Sequence, residues 1–118
     1  MEHRDDRLLA AGATVVNILA GTPFEFVQRR PAAVIVHAVT DPPGVGDEGE
    51  LLMDVLFGTV IVAQRLPIPG FTAGQGPNRT DHQLVSGVAA PGDRIVVGLA
   101  SIAAAAYRVR TLISIRPL

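Results

Sequence analysis

Apolar and polar residues alternate along residues 107–116, near the end of the chain. One set of alternate positions holds Tyr107, Val109, Thr111, Ile113 and Ile115. The other set holds Arg108, Arg110, Ser114 and Arg116, with Leu112 as its one aliphatic member. Because successive side chains of a strand point to opposite faces, this pattern predicts a strand with one buried face and one arginine-bearing face.

Short β-branched runs separated by turn residues make up most of the rest of the chain. They recur at the spacing that is typical of sandwiches and barrels, without the intervening helices of parallel βαβ units. Gly58 separates two runs as a hairpin turn would, and Pro91-Gly92 predicts another turn. We therefore expect an all-β fold, a single antiparallel β-sandwich of the jelly-roll type with about eight short strands. The predicted strands are residues 14–19, 24–28, 33–39, 51–57, 59–65, 82–87, 94–100 and 107–116.

The chain of 118 residues has the length of a single domain. Residues 1–12 lack a clear apolar stripe and are expected to form an N-terminal arm or a short helix, and residues 13–118 the β-sandwich domain. Residues 67–80, rich in proline and glycine, are the longest irregular segment and the first candidate for a contact surface.

The amino-acid composition argues against several classes of function. The formal net charge is −1 and all ten basic residues are arginine, so specific binding of nucleic acid is not expected. The chain has no tryptophan and one tyrosine, which argues against the aromatic platforms of sugar-binding sandwiches. The absence of cysteine excludes disulfides and thiolate metal sites. No signal peptide or membrane-spanning segment is expected, and the protein is expected to be soluble.

Candidate chemistry is sparse. Asp81 and His82 could form an acid–base pair, but no nucleophile is specified, and an Asp side chain capping a turn explains them better. The acidic residues of segment 41–50 do not follow the spacing of a calcium loop, so a solvated loop is favoured. His37, in the middle of a predicted strand, is expected to be a packed or rim residue. We therefore expect no catalytic residues, no metal and no cofactor, and no small-molecule substrate is identified.

The C-terminal third of the chain resembles part of a known class of proteins. Residues 88–97, with their Pro-Gly-Asp turn, are followed by the strand at 107–115. This arrangement resembles the closing hairpin of the small β-sandwich virion structural proteins of bacteriophages. The resemblance implies a homo-oligomer that docks to other virion proteins, located in the virion, with the bacterial cytoplasm as the alternative location.

We therefore predict a non-enzymatic structural subunit, a bacteriophage capsid or capsid-decorating protein. One alternative is a ligand-binding or adhesive module that uses residues 67–80, and another is a small enzyme with the Asp81 and His82 pair. The residues predicted to form the interface are Arg29, Arg30, Phe71, Asn78, Arg79, Arg108, Arg110 and Arg116.

Overall fold

The structure, a computed structural model, describes residues 2–27, 29–40, 51–69, 77, 83–102 and 106–118. These residues form eight strands and, within the described ranges, no helix. The strands are β1 (Glu2–Leu9), β2 (Thr14–Val15), β3 (Ala32–Thr40), β4 (Leu51–Phe57), β5 (Val60–Pro67), β6 (Gln83–Ala89), β7 (Ile95–Ser101) and β8 (Tyr107–Pro117).

Two four-stranded sheets pack face to face, with the strand orders β1–β8–β3–β6 and β2–β7–β4–β5. Every pairing is antiparallel. Neighbouring strands are mostly distant in sequence, and the chain passes between the sheets as in a jelly roll. The predicted antiparallel sandwich is confirmed.

The core lies between the inner faces of the two sheets. Val36 of β3 is paired with Ile113 of β8 on one inner face, and both are fully buried. Met53 and Val97 supply equally buried side chains from the other sheet. Because the chain has four phenylalanines and no tryptophan, aliphatic side chains fill almost all of this space.

The N-terminal segment differs from the expectation of an arm or a short helix. Residues 2–9 form β1, which pairs along its whole length with β8. Alternate residues of β1 point inward, so that the ring of His3 lies 5.4 Å from the ring of Phe24 and Leu9 is buried. The expectation was wrong because mixed charges hide this alternation: Asp5 and Arg7 share the inner face and neutralise each other through a bidentate ion pair.

Residues 14–31 contain much less strand than predicted. Of residues 14–19 only Thr14 and Val15 pair with β7, and residues 24–27, the described part of the predicted strand 24–28, contribute one isolated bridge, from Phe26 to Arg94. The ladder stops because the side chain of Asn17 takes over hydrogen bonds of the neighbouring backbone. The segment then crosses one end of the sandwich on its way to β3.

That end, which we call the turn end, consists of residues 16–27 and 29–31, Gly58–Thr59, residues 90–94 and the end of β8 from Arg116 onward, where the Leu118 N–H donates to the Pro31 carbonyl. Gly58 has a φ of +62°, a left-handed conformation that glycine adopts without a steric penalty, and its N–H donates to the Arg94 carbonyl. The 90–93 turn forms as predicted, with a hydrogen bond from the Asp93 N–H to the Ala90 carbonyl. Further backbone hydrogen bonds join Val27 to this turn in both directions, so the pieces of the turn end hold one another in place.

Candidate functional site

The predicted arginine-bearing face of β8 is only partly available to a partner. Arg108 donates to Asp6 of β1 over 2.8 Å, and Arg110 lies 3.5 Å from the other oxygen of the same carboxylate. Between them and the end of the strand, Leu112 is 1% exposed, opposite the buried His37. Arg108 and Arg110 of β8 therefore form ion pairs with the neighbouring strand β1, and the middle of this outer face is buried.

Arg29, Arg30 and Arg116 are exposed at the turn end, as an interface role requires. Arg29 and Arg30 immediately precede β3, and Arg116 is paired in register with Ala33 near the start of that strand. Among the residues that the structure describes, none of the three has an ion-pair partner. These arginines lie near one another, whereas Arg108 and Arg110 are farther along β8.

The other predicted interface residues, Phe71, Asn78 and Arg79, lie outside the described residues. The same is true of Asp81 and His82, on which the enzyme alternative depends, and of most of segment 67–80, on which the adhesive alternative depends. Those expectations stay predictions.

A groove that was not predicted runs between the edge strands β5 and β6, where the two sheets end side by side. Two adjoining hollows of about 410 and 400 Å³ share Val62. Asp93 is the only charged residue among those described in their lining. Gln64 and Ser86 add uncharged polar side chains, and the apolar side chains of this β5–β6 groove are Phe57, Val60, Val62, Ala63, Leu66, Leu84, Val85, Val88 and Ala90.

Gly87 determines the depth of the groove. A Cβ atom at this position would lie 2.9 Å from Cε2 of Phe57, so only glycine allows the phenylalanine ring to approach β6 this closely. The ring thereby closes the floor of the groove, while the exposed Val60 and Val88 form its rims.

The main chain of β5 adds hydrogen-bonding capacity to this surface. Among the described strands β5 pairs only with β4, so none of them pairs with its other edge. Val60 and Ile61 are both exposed on this strand, and its only charge, Arg65, follows at an irregular pairing with a positive φ. An exposed apolar edge strand is a template for strand addition, and proteins that remain monomeric protect such edges with charges, prolines or covering segments.

The sequence contained one signal of this surface. Residues 60–63 are four apolar residues in succession, whereas a strand with one solvated face alternates. Because only alternate residues of a strand can face the core, a run of four apolar residues indicates one of two cases. Either protein covers both faces of the strand, or one apolar face is exposed to solvent. The run alone does not distinguish these two cases.

Neither a metal site among the described residues nor a similar protein gives further information about function. The described residues contain no cluster of three or more potential metal-ligating His, Asp or Glu side chains. Nor does the described part of the chain include a helix with the length and hydropathy of a membrane span. No family model matches the chain, and no curated protein or solved structure is significantly similar to it.

Proposed function

We propose that this chain is a non-enzymatic structural subunit that associates with further copies of itself through the β5–β6 groove. The observation that carries the proposal is the combination, on one side of the sandwich, of an apolar groove and the unpaired edge of β5. Contact with a second copy would remove apolar surface from water, which is the main favourable term in most protein association.

Main-chain geometry favours a second copy as the occupant. Two β5 strands related by a two-fold axis are antiparallel, so their edges can bond and extend the β2–β7–β4–β5 sheet into a second molecule. The same surface of both copies then forms the contact, which closes a dimer without leaving a new free edge. Val60, which lines the groove and is 64% exposed, would become buried in this contact.

The wider role that we propose is that of a capsid or capsid-decorating subunit of a bacteriophage, located in the virion. Two features support it: the jelly-roll strand order, which viral capsid domains share with lectins and cupins, and the resemblance of the C-terminal third to small virion proteins. The exposed Arg29, Arg30 and Arg116 at the turn end supply polar contacts to other virion proteins in this proposal.

Light scattering coupled to size exclusion tests the self-association. The wild-type protein is expected to elute as a dimer or larger species at micromolar concentration, and Val60→Lys as a monomer. Ile102→Lys is the matched control, since Ile102 is 60% exposed but lies after β7, away from the groove. It is expected to associate like the wild type.

Two results would overturn the proposal. One is a monomeric wild type at high concentration with no assembly visible by negative-stain electron microscopy. The other is a Val60→Lys protein that is folded by circular dichroism and still associates like the wild type.

A further inference from the structure

A separate cavity of about 470 Å³ opens at the turn end and shares no described lining residue with the β5–β6 groove. Its inner lining includes Ala32, Ile95 and Ile115, which are buried residues of β3, β7 and β8. Phe24 and Phe26, from the connection between β2 and β3, also line the cavity. Its volume lies in the range of pockets that enclose small molecules, roughly 300–1,000 Å³.

The connection that forms this cavity is held firmly against the sandwich. The Ile95 N–H donates to the Glu25 carbonyl over 2.7 Å, and the Val27 N–H donates to the Asp93 carbonyl over 2.9 Å. The side chain of Glu25 also accepts from Arg94 over 2.7 Å. These bonds fix the backbone on both sides of Phe26, so the cavity exists before any ligand arrives.

Two arginines supply the polar part of the lining. Arg29 and Arg30 both line the cavity, and no other described lining residue has a polar side chain. Arg94, at the same end, is neutralised by Glu25, whereas Arg29 and Arg30 have no counter-charge among the described residues. A guanidinium group presents a planar fork of donors that binds a carboxylate through two hydrogen bonds.

We propose that this cavity binds a small molecule with an apolar chain or ring and a terminal carboxylate, such as a medium-chain fatty acid. The apolar part lies against Ile95, Ile115 and the two phenylalanines, and the carboxylate accepts hydrogen bonds from Arg29 and Arg30. Sugars and nucleosides do not fit this lining, because their many hydroxyl or base groups would lack side-chain partners. The site shares no described lining residue with the groove of the proposed self-association, but it uses Arg29 and Arg30, which the proposed contacts to other virion proteins also use.

Isothermal titration calorimetry with decanoate, below its micellar concentration, tests the site. Saturable binding of decanoate to the full chain is expected. Decanol, which has the same chain length without the charge, and propanoate, which has the charge without the chain, are each expected to bind at least about tenfold more weakly, as loss of charge-assisted hydrogen bonds or of apolar burial implies.

Paired variants locate the binding. Arg29→Gln with Arg30→Gln is expected to weaken decanoate binding by about tenfold or more, the effect of removing charge-assisted hydrogen bonds. Arg4→Gln with Arg65→Gln changes the net charge equally, at residues that do not line the cavity, and is expected to leave the affinity unchanged. Phe26→Ser, at a half-exposed wall position, is expected to weaken binding by removing apolar contact.

The proposal is overturned if decanoate shows no saturable binding, or if decanol binds as tightly as decanoate. It is also overturned if both arginine pairs reduce the affinity equally, since the anion would then respond only to overall charge. The oligomeric state of each variant, measured in the same buffer, separates this outcome from a failure of the self-association proposal.

Discussion

Asn17 holds the chain at the point where β2 ends. Its Nδ2 donates to the Ile95 carbonyl over 3.1 Å, and its Oδ1 accepts from the N–H groups of Leu19 and Val97, each over 3.0 Å. The residue is buried, so these backbone groups have no water to replace the amide. One side chain therefore replaces the ladder that the sequence predicted for residues 14–19.

Replacement of Asn17 by alanine tests this role. Asn17→Ala is expected to lower the free energy of unfolding by roughly 2–4 kcal/mol, because two buried N–H groups lose their acceptor. Urea denaturation followed by circular dichroism measures the change. Gln64→Ala removes an exposed amide and is the control, with a change within about 0.5 kcal/mol. A similar small change for Asn17→Ala would show that the amide does not hold this segment.

The contribution of Glu25 to the stability of the folded protein depends on pH. Its carboxylate accepts from the Gly21 N–H and from Arg94, and these bonds, the backbone one first, lower the pKa of Glu25. Because the folded state binds this proton more weakly than the unfolded state, the stabilisation is complete above the unfolded pKa of about 4.3. It is lost as the pH falls through the lowered folded pKa.

The variant Glu25→Gln removes this titration. It is expected to be less stable than the wild type at pH 7 and to lose less further stability on acidification. Urea denaturation at a series of pH values tests this expectation. Glu2→Gln is the control, since Glu2 lies 4.0 Å from its partner Arg4 on an exposed face. Equal pH slopes for Glu25→Gln and the wild type would contradict the expectation.

The sequence of β1 does not show the alternation of apolar and polar residues that predicts a strand. Its inward positions hold His3, Asp5 and Arg7 before Leu9, so a polar residue stands at three of the four inner positions. More buried and more exposed residues alternate along β1, but apolar and polar residues do not. Only the position of β8 beside it, about a hundred residues away in the chain, makes the segment a strand.

Hydrogen exchange distinguishes a paired β1 from a free arm. The amides of β1 that face β8 are expected to exchange with an opening free energy well above zero, whereas a fraying terminus gives about 0 kcal/mol. Mass spectrometry of peptides that cover residues 2–9 and 83–89 measures both edge strands of this sheet under the same conditions. Exchange of residues 2–9 at the rate of an unstructured peptide would contradict the pairing.

The element β5 illustrates the opposite case, in which the element was predicted and its role was not. The turn at Gly58 and the run from residue 60 predicted the strand, and the structure confirms it as Val60–Pro67. Its far edge has no partner among the described strands because β5 comes last in the order β2–β7–β4–β5. Local sequence does not encode that order.

At the scale of the whole molecule, the two sets of interface candidates predict different responses to salt. Exposed charges are screened over a Debye length of about 8 Å at physiological ionic strength, whereas apolar burial is not weakened by simple salt. Arg108 and Arg110 already face Asp6, which leaves the apolar β5–β6 groove as the stronger candidate for self-association.

Sedimentation equilibrium in increasing NaCl tests this preference. The dissociation constant of the self-associated protein is expected to stay within about threefold between about 0.05 and 0.5 M salt, as for apolar burial. The Arg29→Gln and Arg30→Gln double variant is expected to associate like the wild type. Marked weakening by salt would instead assign the contact to the arginines.

The sequence by itself determined the fold class, most strand positions and the two tight turns, because alternation, glycine and proline act over a few residues. Other features follow only from the tertiary structure. They are the order of the strands in the two sheets, the pairing of β1, the ion pairs of Arg108 and Arg110, the β5–β6 groove and the cavity at the turn end. Each depends on residues that are far apart in the chain, and a groove between two strand edges exists only after both sheets are in place. The alternation of β8 therefore predicted a strand with a buried face correctly, while the partners of its arginines depended on which strand lay beside it.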